Sequence, residues 1–260
     1  MGVVNVTPDS FSDGGRFLDP EEAAAWGRRL AEEGADLLDV GGESTRPGAE
    51  AVDEREELRR VLPVLARLRG LRPISIDTTK AAIAAAGLDA GATVVNDVSG
   101  GLADPAMLAT VADRGASIVL MHRKGTPRTM QRLARYRDVV EEVKRFLAER
   151  VEAALRAGIA PERIAVDPGI GFAKTARHNL LILARIGQIT ALGFPVVVGV
   201  SRKRFLGRIL DLPVDERVEG TIAASLLAAA GGARILRVHD VKPLARAVRV
   251  AAAIWQAARG

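Results

Sequence analysis

Short apolar segments alternate with longer amphipathic segments along the whole chain, and one short sequence motif recurs where an amphipathic segment gives way to an apolar one. In this motif a glycine and an alanine precede an apolar run, and a polar residue follows the run. A glycine here is typical of a helix end in the left-handed conformation, and the β-branched run after it indicates a strand buried on both faces. The motif occurs at residues 34–39, 91–96, 115–122 and 232–237.

Four further apolar runs have the length and composition of buried strands, at residues 3–4, 73–76, 164–166 and 195–198. Amphipathic helices are predicted between the strands. The first begins at Asp19-Pro20, where an N-cap residue precedes a proline at the first helical position, and Gly34 ends it. The other predicted helices cover residues 53–70, 104–115, 137–158, 176–192, 214–230 and 242–258. Alternating strands and helices predict a parallel sheet with right-handed crossovers.

Eight strand–helix units in 260 residues favour a closed (β/α)₈ TIM barrel over an open, doubly wound sheet. A dinucleotide-binding sheet would carry a Gly-x-Gly-x-x-Gly turn after an early strand, and the nearest glycine patterns, at residues 169–171 and 199–201, are incomplete. No low-complexity linker divides the chain. The sequence therefore predicts one barrel domain over residues 1–260.

Composition narrows the chemistry. Cysteine is absent, which excludes disulfides and thiolate chemistry, and His122, His178 and His239 lack zinc-ligand spacing. A hard cation such as Mg²⁺, held by oxygen ligands, is therefore the metal that the composition favours. The net charge of +5 comes from basic residues scattered along the helices, which argues against nucleic acid and suits an anionic small molecule.

The hydropathy of the chain gives no indication of a membrane protein. No apolar run approaches the roughly 20 residues that span a bilayer. The first residues also lack the basic and apolar regions of a secretory signal. We therefore expect a cytoplasmic enzyme with no membrane partner.

A polar residue follows every predicted strand. In a barrel these positions meet at the carboxyl-terminal face, where barrel enzymes carry their active sites. One such residue could be an ordinary loop cap, but a polar group after all eight strands indicates a functional face. The residues are Asn5, Asp39, Asp77, Asn96, His122, Asp167, Ser201 to Lys203, Arg237 and His239.

Three loops at the same face are rich in glycine or polar residues. Residues 7–15 form a long polar connection typical of a mobile lid. Residues 41–48 offer backbone N–H groups, a hydroxyl and a guanidinium, and residues 199–204 place cations at a predicted helix start, so both favour anion binding. Inward-facing Asp77, Asp167 and Asn96 match the hydrogen-bonding edge of a polar heterocycle. The predicted ligand carries anionic groups beside such a ring.

These segments resemble the signature motifs of the dihydropteroate synthase family. The two longest are NVTPDSFSDGG at residues 5–15 and DVGGESTRPG at residues 39–48. Shorter matches follow in the family's order: SIDT at 75–78, VNDV at 95–98, DPGIGF at 167–172, GVSRK at 199–203 and RVHDV at 237–241. The resemblance covers almost the whole chain, and the combination of motifs is highly specific.

The resemblance implies a reaction: 6-hydroxymethyl-7,8-dihydropterin pyrophosphate condenses with 4-aminobenzoate to give 7,8-dihydropteroate and pyrophosphate in folate biosynthesis. It implies an SN1-like path, in which Asp77 and Asp167 stabilise a pterin-derived cation and Mg²⁺ assists departure of the pyrophosphate. Lys203 joins those two carboxylates as a catalytic residue. The implied pterin site consists of Asp77, Asn96, Asp167 and Lys203. The implied pyrophosphate site consists of Asn5, which also holds Mg²⁺, and of Thr45, Arg46, Arg237 and His239. The implied aminobenzoate site consists of Phe172, Ser201 and Arg202, together with the two loops after the first and second strands.

Two related functions compete with the synthase reaction, and the family resemblance also implies an assembly state. Barrels that pass a methyl group from methyltetrahydrofolate to a corrinoid protein share the pterin-reading residues but need no pyrophosphate site, so residues 45–48 and 237–239 argue against them. A non-catalytic pterin-binding paralogue would be expected to lose the pyrophosphate or lid residues, which are retained. The family tends to form homodimers, and the apolar helices at 214–230 and 242–258 are the expected contact faces.

Overall fold

Parallel strands and outer helices alternate through the computed structural model, which describes residues 1–7, 19–46 and 48–258. The strands are β1 Gly2–Asn5, β2 Leu38–Gly41, β3 Ile74–Asp77, β4 Val94–Asp97, β5 Ser117–Met121, β6 Ile164–Asp167, β7 Val197–Val198 and β8 Ile235–Leu236. The helices are α1 Pro20–Glu32, α2 Glu54–Leu68, α3 Ala81–Asp89, α4 Met107–Asp113, α5 Val139–Arg156, α6 Ala176–Ala184, α7 Ile186–Thr190, α8 Arg204–Leu210, α9 Val218–Ala230 and α10 Val241–Ala257.

The strands close into a barrel. β1 to β6 pair in chain order, and β7 pairs with β8. Parallel bridges join the two sheets on both sides, from Val166 to Val196 and from Gly2 to Val238. The second junction is held by the Val3 amide on the Val238 carbonyl at 3.0 Å and the Val238 amide on the Met1 carbonyl at 3.0 Å. The predicted (β/α)₈ barrel and its eight strands are confirmed.

Local signals in the sequence account for most element boundaries. The repeated glycines Gly34, Gly91, Gly115 and Gly232 have φ values of 107°, 109°, 55° and 101°, the left-handed conformation expected where a helix ends. Asp19 caps α1 through its side chain, which accepts from the Glu21 amide at 2.9 Å. Each cap satisfies a backbone group that the helix leaves without a partner. Both signals therefore fix where the chain turns back towards the barrel.

The helices differ from the prediction in three places. The sequence pattern did not predict α3, because its alanine-rich segment has no polar face to give a helical period. The predicted helix over 176–192 breaks at Arg185 into α6 and α7. The predicted helix over 214–230 starts with a 3₁₀ turn at Val214–Glu216, and α9 begins only at Val218.

The apolar core lies inside the barrel and between the barrel and its helices. Val4, Val40, Ile76, Ile118 and Val166 from five strands are completely or almost completely buried. Burial of this kind fixes the strand register, so the residues at the strand ends are held at defined positions. In the described ranges, no helix is both long and apolar enough to cross a membrane.

Candidate active site

Two adjoining pockets open at the carboxyl ends of the strands, and together they contain every site residue predicted from the sequence. The inner pocket is lined by Asp77, Asn96, Asp167 and Lys203, the four predicted pterin residues. The outer cleft, about 580 Å³, includes Asn5, Thr45, Arg46, Phe172, Ser201, Arg202, Arg237 and His239. Residues from seven different segments of the chain therefore meet at one face, as expected for a barrel enzyme.

Arg237 links the two carboxylates at the ends of β2 and β3. Its Nε donates to Asp39 Oδ2 at 2.6 Å, and its Nη2 donates to Asp77 Oδ2 at 2.8 Å. Burial, together with the nearby Asp39 carboxylate, raises the pKa of Asp77 to about 8 despite the guanidinium. Asp77 therefore takes up a proton far more readily than an exposed aspartate.

Asp39 is a residue whose place the strand-end pattern marked but to which no site role was given. It is fully buried, and its Oδ2 also accepts from Asn96 Nδ2 at 3.1 Å. This bond orients the Asn96 amide, so that the amide oxygen is left for a partner in the pocket. Among the described residues, Asp39 Oδ1 and Asp77 Oδ1 have no hydrogen-bond partner. Of the two residues only Asp77 lines the inner pocket, so its carboxyl group has an acceptor there that no described residue uses.

Asp167, at the end of β6, and Lys203, just before α8, also line the inner pocket. Asp167 Oδ1 accepts from the Gly169 amide at 2.6 Å, and burial raises the pKa of this carboxyl. Lys203 Nζ donates to the Ile170 carbonyl at 2.8 Å and lies 4.5 Å from the centroid of the Phe172 ring. Burial lowers the pKa of Lys203 to about 8. The loop after β6 therefore joins the two predicted subsites.

Ser201 and His239 hold each other in the outer cleft. Ser201 Oγ accepts from the His239 amide at 3.2 Å and lies 3.0 Å from His239 Nδ1. Burial, and then the neighbouring Arg237, lower the pKa of His239 to about 3, so its ring is neutral at physiological pH. Neutral His239 can offer one N–H to a ligand without carrying a charge.

Two of the predicted anion-binding cations are engaged by protein groups. Arg202, with a φ of 58°, pairs with Asp240 through Nε at 2.9 Å and Nη2 at 2.5 Å. Lys203 precedes α8 and bonds the Ile170 carbonyl, so it does not point away from the fold into solvent. An anion at this helix start would therefore meet cations that are already oriented.

A partly buried ion cluster holds the loop after β2. Lys80 Nζ, just before α3, binds both Glu43 in that loop and Glu57 on α2, the latter at 2.5 Å. Burial raises the pKa of Glu57. Thr45 and Arg46 follow Glu43 closely, so the cluster helps to position them. The sequence pattern gave no signal for it, because its three residues lie far apart along the chain.

Most of the predicted lid lies outside the described residues. Its residues 8–15, and Pro47 in the second loop, lie outside the described part of the chain. Within the described part, no group of three or more His, Asp or Glu side chains could hold a metal ion. Asn5, at the end of β1, lines the outer cleft.

Comparisons with known proteins identify the family. The model of the family described as "Pterin binding enzyme" matches residues 1–239. The dihydropteroate synthase of Synechocystis is 49% identical over 259 residues, covering 98% of this chain and 90% of that relative. The match therefore covers most of both chains.

Solved structures agree with the sequence comparison. Xanthomonas albilineans dihydropteroate synthase with 4-aminobenzoic acid superposes with a TM-score of 0.91 at 49% identity, covering 100% of this chain and 92% of that one. The same enzyme in complex with 7,8-dihydropteroate gives a TM-score of 0.88 at 47% identity, with coverage of 100% and 93%. The chain therefore belongs to the dihydropteroate synthase family of pterin-binding transferases.

Proposed function

We propose that the chain joins 6-hydroxymethyl-7,8-dihydropterin pyrophosphate to 4-aminobenzoate, releasing pyrophosphate and forming 7,8-dihydropteroate. The observation that carries the proposal is the convergence of Asp77, Asn96, Asp167 and Lys203 on one inner pocket that opens into a cationic cleft. Relatives crystallised with 4-aminobenzoic acid and with 7,8-dihydropteroate support the identity of the substrates.

The pterin ring would lie in the inner pocket. Asp77 Oδ1 is buried and lacks a hydrogen-bond partner among the described residues, and we assign it as the acceptor for a ring N–H. The Asn96 oxygen and Asp167 supply further acceptors, and the Lys203 ammonium supplies a donor. A pocket whose buried polar groups need ligand partners discriminates strongly against a ring that lacks them, because each unpaired group costs free energy.

The pyrophosphate would lie in the outer cleft, between Thr45, Arg46, Arg237 and neutral His239. The Asn5 amide is the oxygen ligand that we assign to Mg²⁺. A single protein oxygen fits this ion, which commonly completes its shell with substrate phosphate oxygens and water. When bound, Mg²⁺ supplies positive charge that neutralises the leaving pyrophosphate. Arg46 and Arg237 act in the same direction, because the charge on the bridging oxygen grows as the C–O bond breaks.

We further propose that this bond breaks before the amine attacks. The carbon next to the ring then carries positive charge that the pterin delocalises, and Asp77 and Asp167 both line the inner pocket. A positive charge beside a carboxyl group lowers its pKa, so the developing cation favours the ionised form of both aspartates. Carboxylates in a buried site stabilise such a cation more than water does, because they are already oriented. The aminobenzoate would wait at Phe172, Ser201 and Arg202, with its amine towards the inner pocket.

Ring-substituted 4-aminobenzoates test the order of the two steps. At saturating amine, the single-turnover rate constant for pyrophosphate formation should stay within about twofold across amines of different nucleophilicity, because C–O cleavage limits the rate. Quenched-flow mixing with excess enzyme measures pyrophosphate and dihydropteroate together. A rate constant that rises with amine nucleophilicity would show that attack and cleavage are concerted. Absence of dihydropteroate would overturn the reaction itself.

We also propose a homodimer formed through α9 and α10. These helices pack against each other and expose large apolar side chains: Leu227 is 70% exposed, and Val250 and Ile254 are each 62% exposed. α9 carries a single charged residue, Glu219. Large apolar side chains exposed on neighbouring helices are typical of an interaction surface, and a two-fold axis would bury them against the same helices of a second copy.

Charge placed on this face should separate the subunits. Leu227→Glu combined with Ile254→Glu should convert a dimer to a monomer in sedimentation velocity, because dimerisation would bury unpaired carboxylates. Leu102→Glu is the matched control, since Leu102 is 57% exposed but lies in the loop after β4. A double variant that remains dimeric would place the interface elsewhere.

A further inference from the structure

Lys174 is a buried lysine next to the site, and the proposed reaction assigns it no role. It follows the predicted aminobenzoate residue Phe172 in the loop after β6, lines the outer cleft and is only 4% exposed. Its Nζ donates to the Phe172 carbonyl at 3.0 Å and lies 2.9 Å from His122 Nδ1. In the described part of the chain, no carboxylate forms an ion pair with it. Burying a lysine beside neutral partners costs free energy, so the contacts of Lys174 call for an explanation.

His122 is a rigid support for Lys174. It follows β5, and its amide donates to the Asp167 carbonyl at 2.9 Å, which continues the pairing of β5 with β6. Its ring packs edge-on against Phe146 of α5, with the centroids 4.8 Å apart. His122 was one of the polar strand-end residues in the sequence, and it has no assigned contact with either substrate. The Lys174 side chain thus connects the His122 ring to the backbone of the loop after β6.

Three carbonyls of this loop are each held by a side chain. Lys203 donates to Ile170 at 2.8 Å, Lys174 donates to Phe172 at 3.0 Å, and the Tyr136 hydroxyl donates to Ala173 at 3.0 Å. Of these donors, Lys174 holds the residue whose ring faces Lys203. A carbonyl can only accept, so Lys174 donates to Phe172 whether or not its own amine is protonated.

We propose that Lys174, braced by His122, is a positioning residue that sets the place of Phe172 in the aminobenzoate site. The inference rests on the proposed function, because it takes Phe172 as an aminobenzoate contact. Lys174 acts through the backbone of Phe172 and does not touch the reacting atoms. Its loss should therefore weaken the binding of one substrate while the pterin side, held by Asp77 and Asn96 on other strands, stays intact.

Lys174→Met keeps the length of the side chain and removes its donor. The KM for 4-aminobenzoate should rise about tenfold, because the partly buried Phe172 carbonyl loses its hydrogen-bond donor and the loop shifts. The kcat and the Kd for the pterin pyrophosphate should stay within about twofold. Steady-state kinetics with each substrate varied in turn, and calorimetric titration of the pterin, measure the three values. An unchanged KM, or an equal loss in both substrates, would overturn the proposal, since a merely structural role would affect both sides.

A second pair of variants keeps the proposal testable if Lys174→Met folds poorly. His122→Asn retains an acceptor near the place of Nδ1, whereas His122→Leu removes it. We expect the Asn variant to keep a KM within about twofold of the native value and the Leu variant to raise it about fivefold; equal values for the two would overturn the role of His122.

Phe172→Ala separates this inference from the proposed function. It should raise the KM for aminobenzoate by tenfold or more, since the ring contact itself is removed. If it does not, the aminobenzoate assignment fails. If it does while Lys174→Met and His122→Leu leave the KM unchanged, only the positioning role fails.

Discussion

Asp167→Asn is expected to weaken binding of the pterin pyrophosphate by about 10²–10³-fold while the barrel stays folded. Asn can keep the acceptor that Asp167 Oδ1 offers to the Gly169 amide at 2.6 Å, so the loop after β6 retains its anchor. Its second atom becomes an N–H₂ donor facing the ring N–H groups, so an acceptor is lost and two donors oppose each other in a buried site. The loss of a charged hydrogen bond together with an unsatisfied donor accounts for the size of the effect. Lys203→Ala should act in the same direction.

Calorimetric titration of each variant with the pterin pyrophosphate, beside thermal unfolding, measures this effect. Asp97→Asn is the matched control. Asp97 ends β4 and is fully buried, but its oxygens hold the Ser99 and Gly101 amides at 2.7 and 2.8 Å and do not line either pocket. It should lower stability and leave the pterin Kd within about threefold. An equal loss of affinity in both variants would mean that any buried charge change disturbs the site, and Asp167 would lose its assigned role.

The sequence was sufficient for the barrel because its signals are local. A glycine that must adopt a positive φ, as Gly34 and Gly91 do, marks a helix end whatever the tertiary context. The sequence pattern did not predict α3, because Ala81–Asp89 consists mostly of small side chains and shows no polar stripe. The break at Arg185 and the 3₁₀ start of α9 also depend on packing against neighbouring helices, which no local pattern encodes.

The residues of the site were predicted as a set, but their partners were not. Strand ends converge in any barrel, so Asp77, Asn96 and Asp167 could be placed at one face from order along the chain. The pairing of Arg237 with Asp39 joins residues 198 positions apart. The contacts of Lys174 with His122, and of Lys80 with Glu57, likewise depend on three-dimensional distances. Supporting residues of this kind are visible only once the barrel is closed.

Those partners matter because the site concentrates buried charge. Asp39, Asp77 and Asp167 lie near two cations, Arg237 and Lys203, and Arg237 forms ion pairs with two of the three carboxylates. In our proposal the Arg237 guanidinium therefore has two roles. It contacts the pyrophosphate, and it balances the negative charge of the carboxylates beside the pterin pocket. Its removal should therefore lower stability as well as activity.

Arg237→Met is expected to cost about 3 kcal/mol of unfolding free energy at pH 6, because Asp39 is left buried without its cation. The exposed pair between Arg114 and Asp89, 3.0 Å apart, provides a control in which Arg114→Met should leave stability unchanged within error. Urea unfolding of both variants without substrate gives the comparison, and pyrophosphate formation by Arg237→Met should fall at least 100-fold in kcat/KM.

The stability loss should also depend on pH, with a sign that follows from Asp77. Its pKa is raised from 3.8 to about 8, so the folded state holds a proton that the unfolded state releases, and stability falls as pH rises through this window. In the native protein the fall ends near pH 8, where Asp77 ionises beside Arg237. Without the guanidinium the pKa of Asp77 rises further, so the free energy of unfolding of Arg237→Met goes on falling above pH 8.

The difference in unfolding free energy between Arg237→Met and the native protein should therefore widen by about 1 kcal/mol between pH 6 and pH 9. Asp77→Asn in the Arg237→Met background should abolish the widening, and a gap of equal size at both pH values would show that Asp77 is not the group responsible.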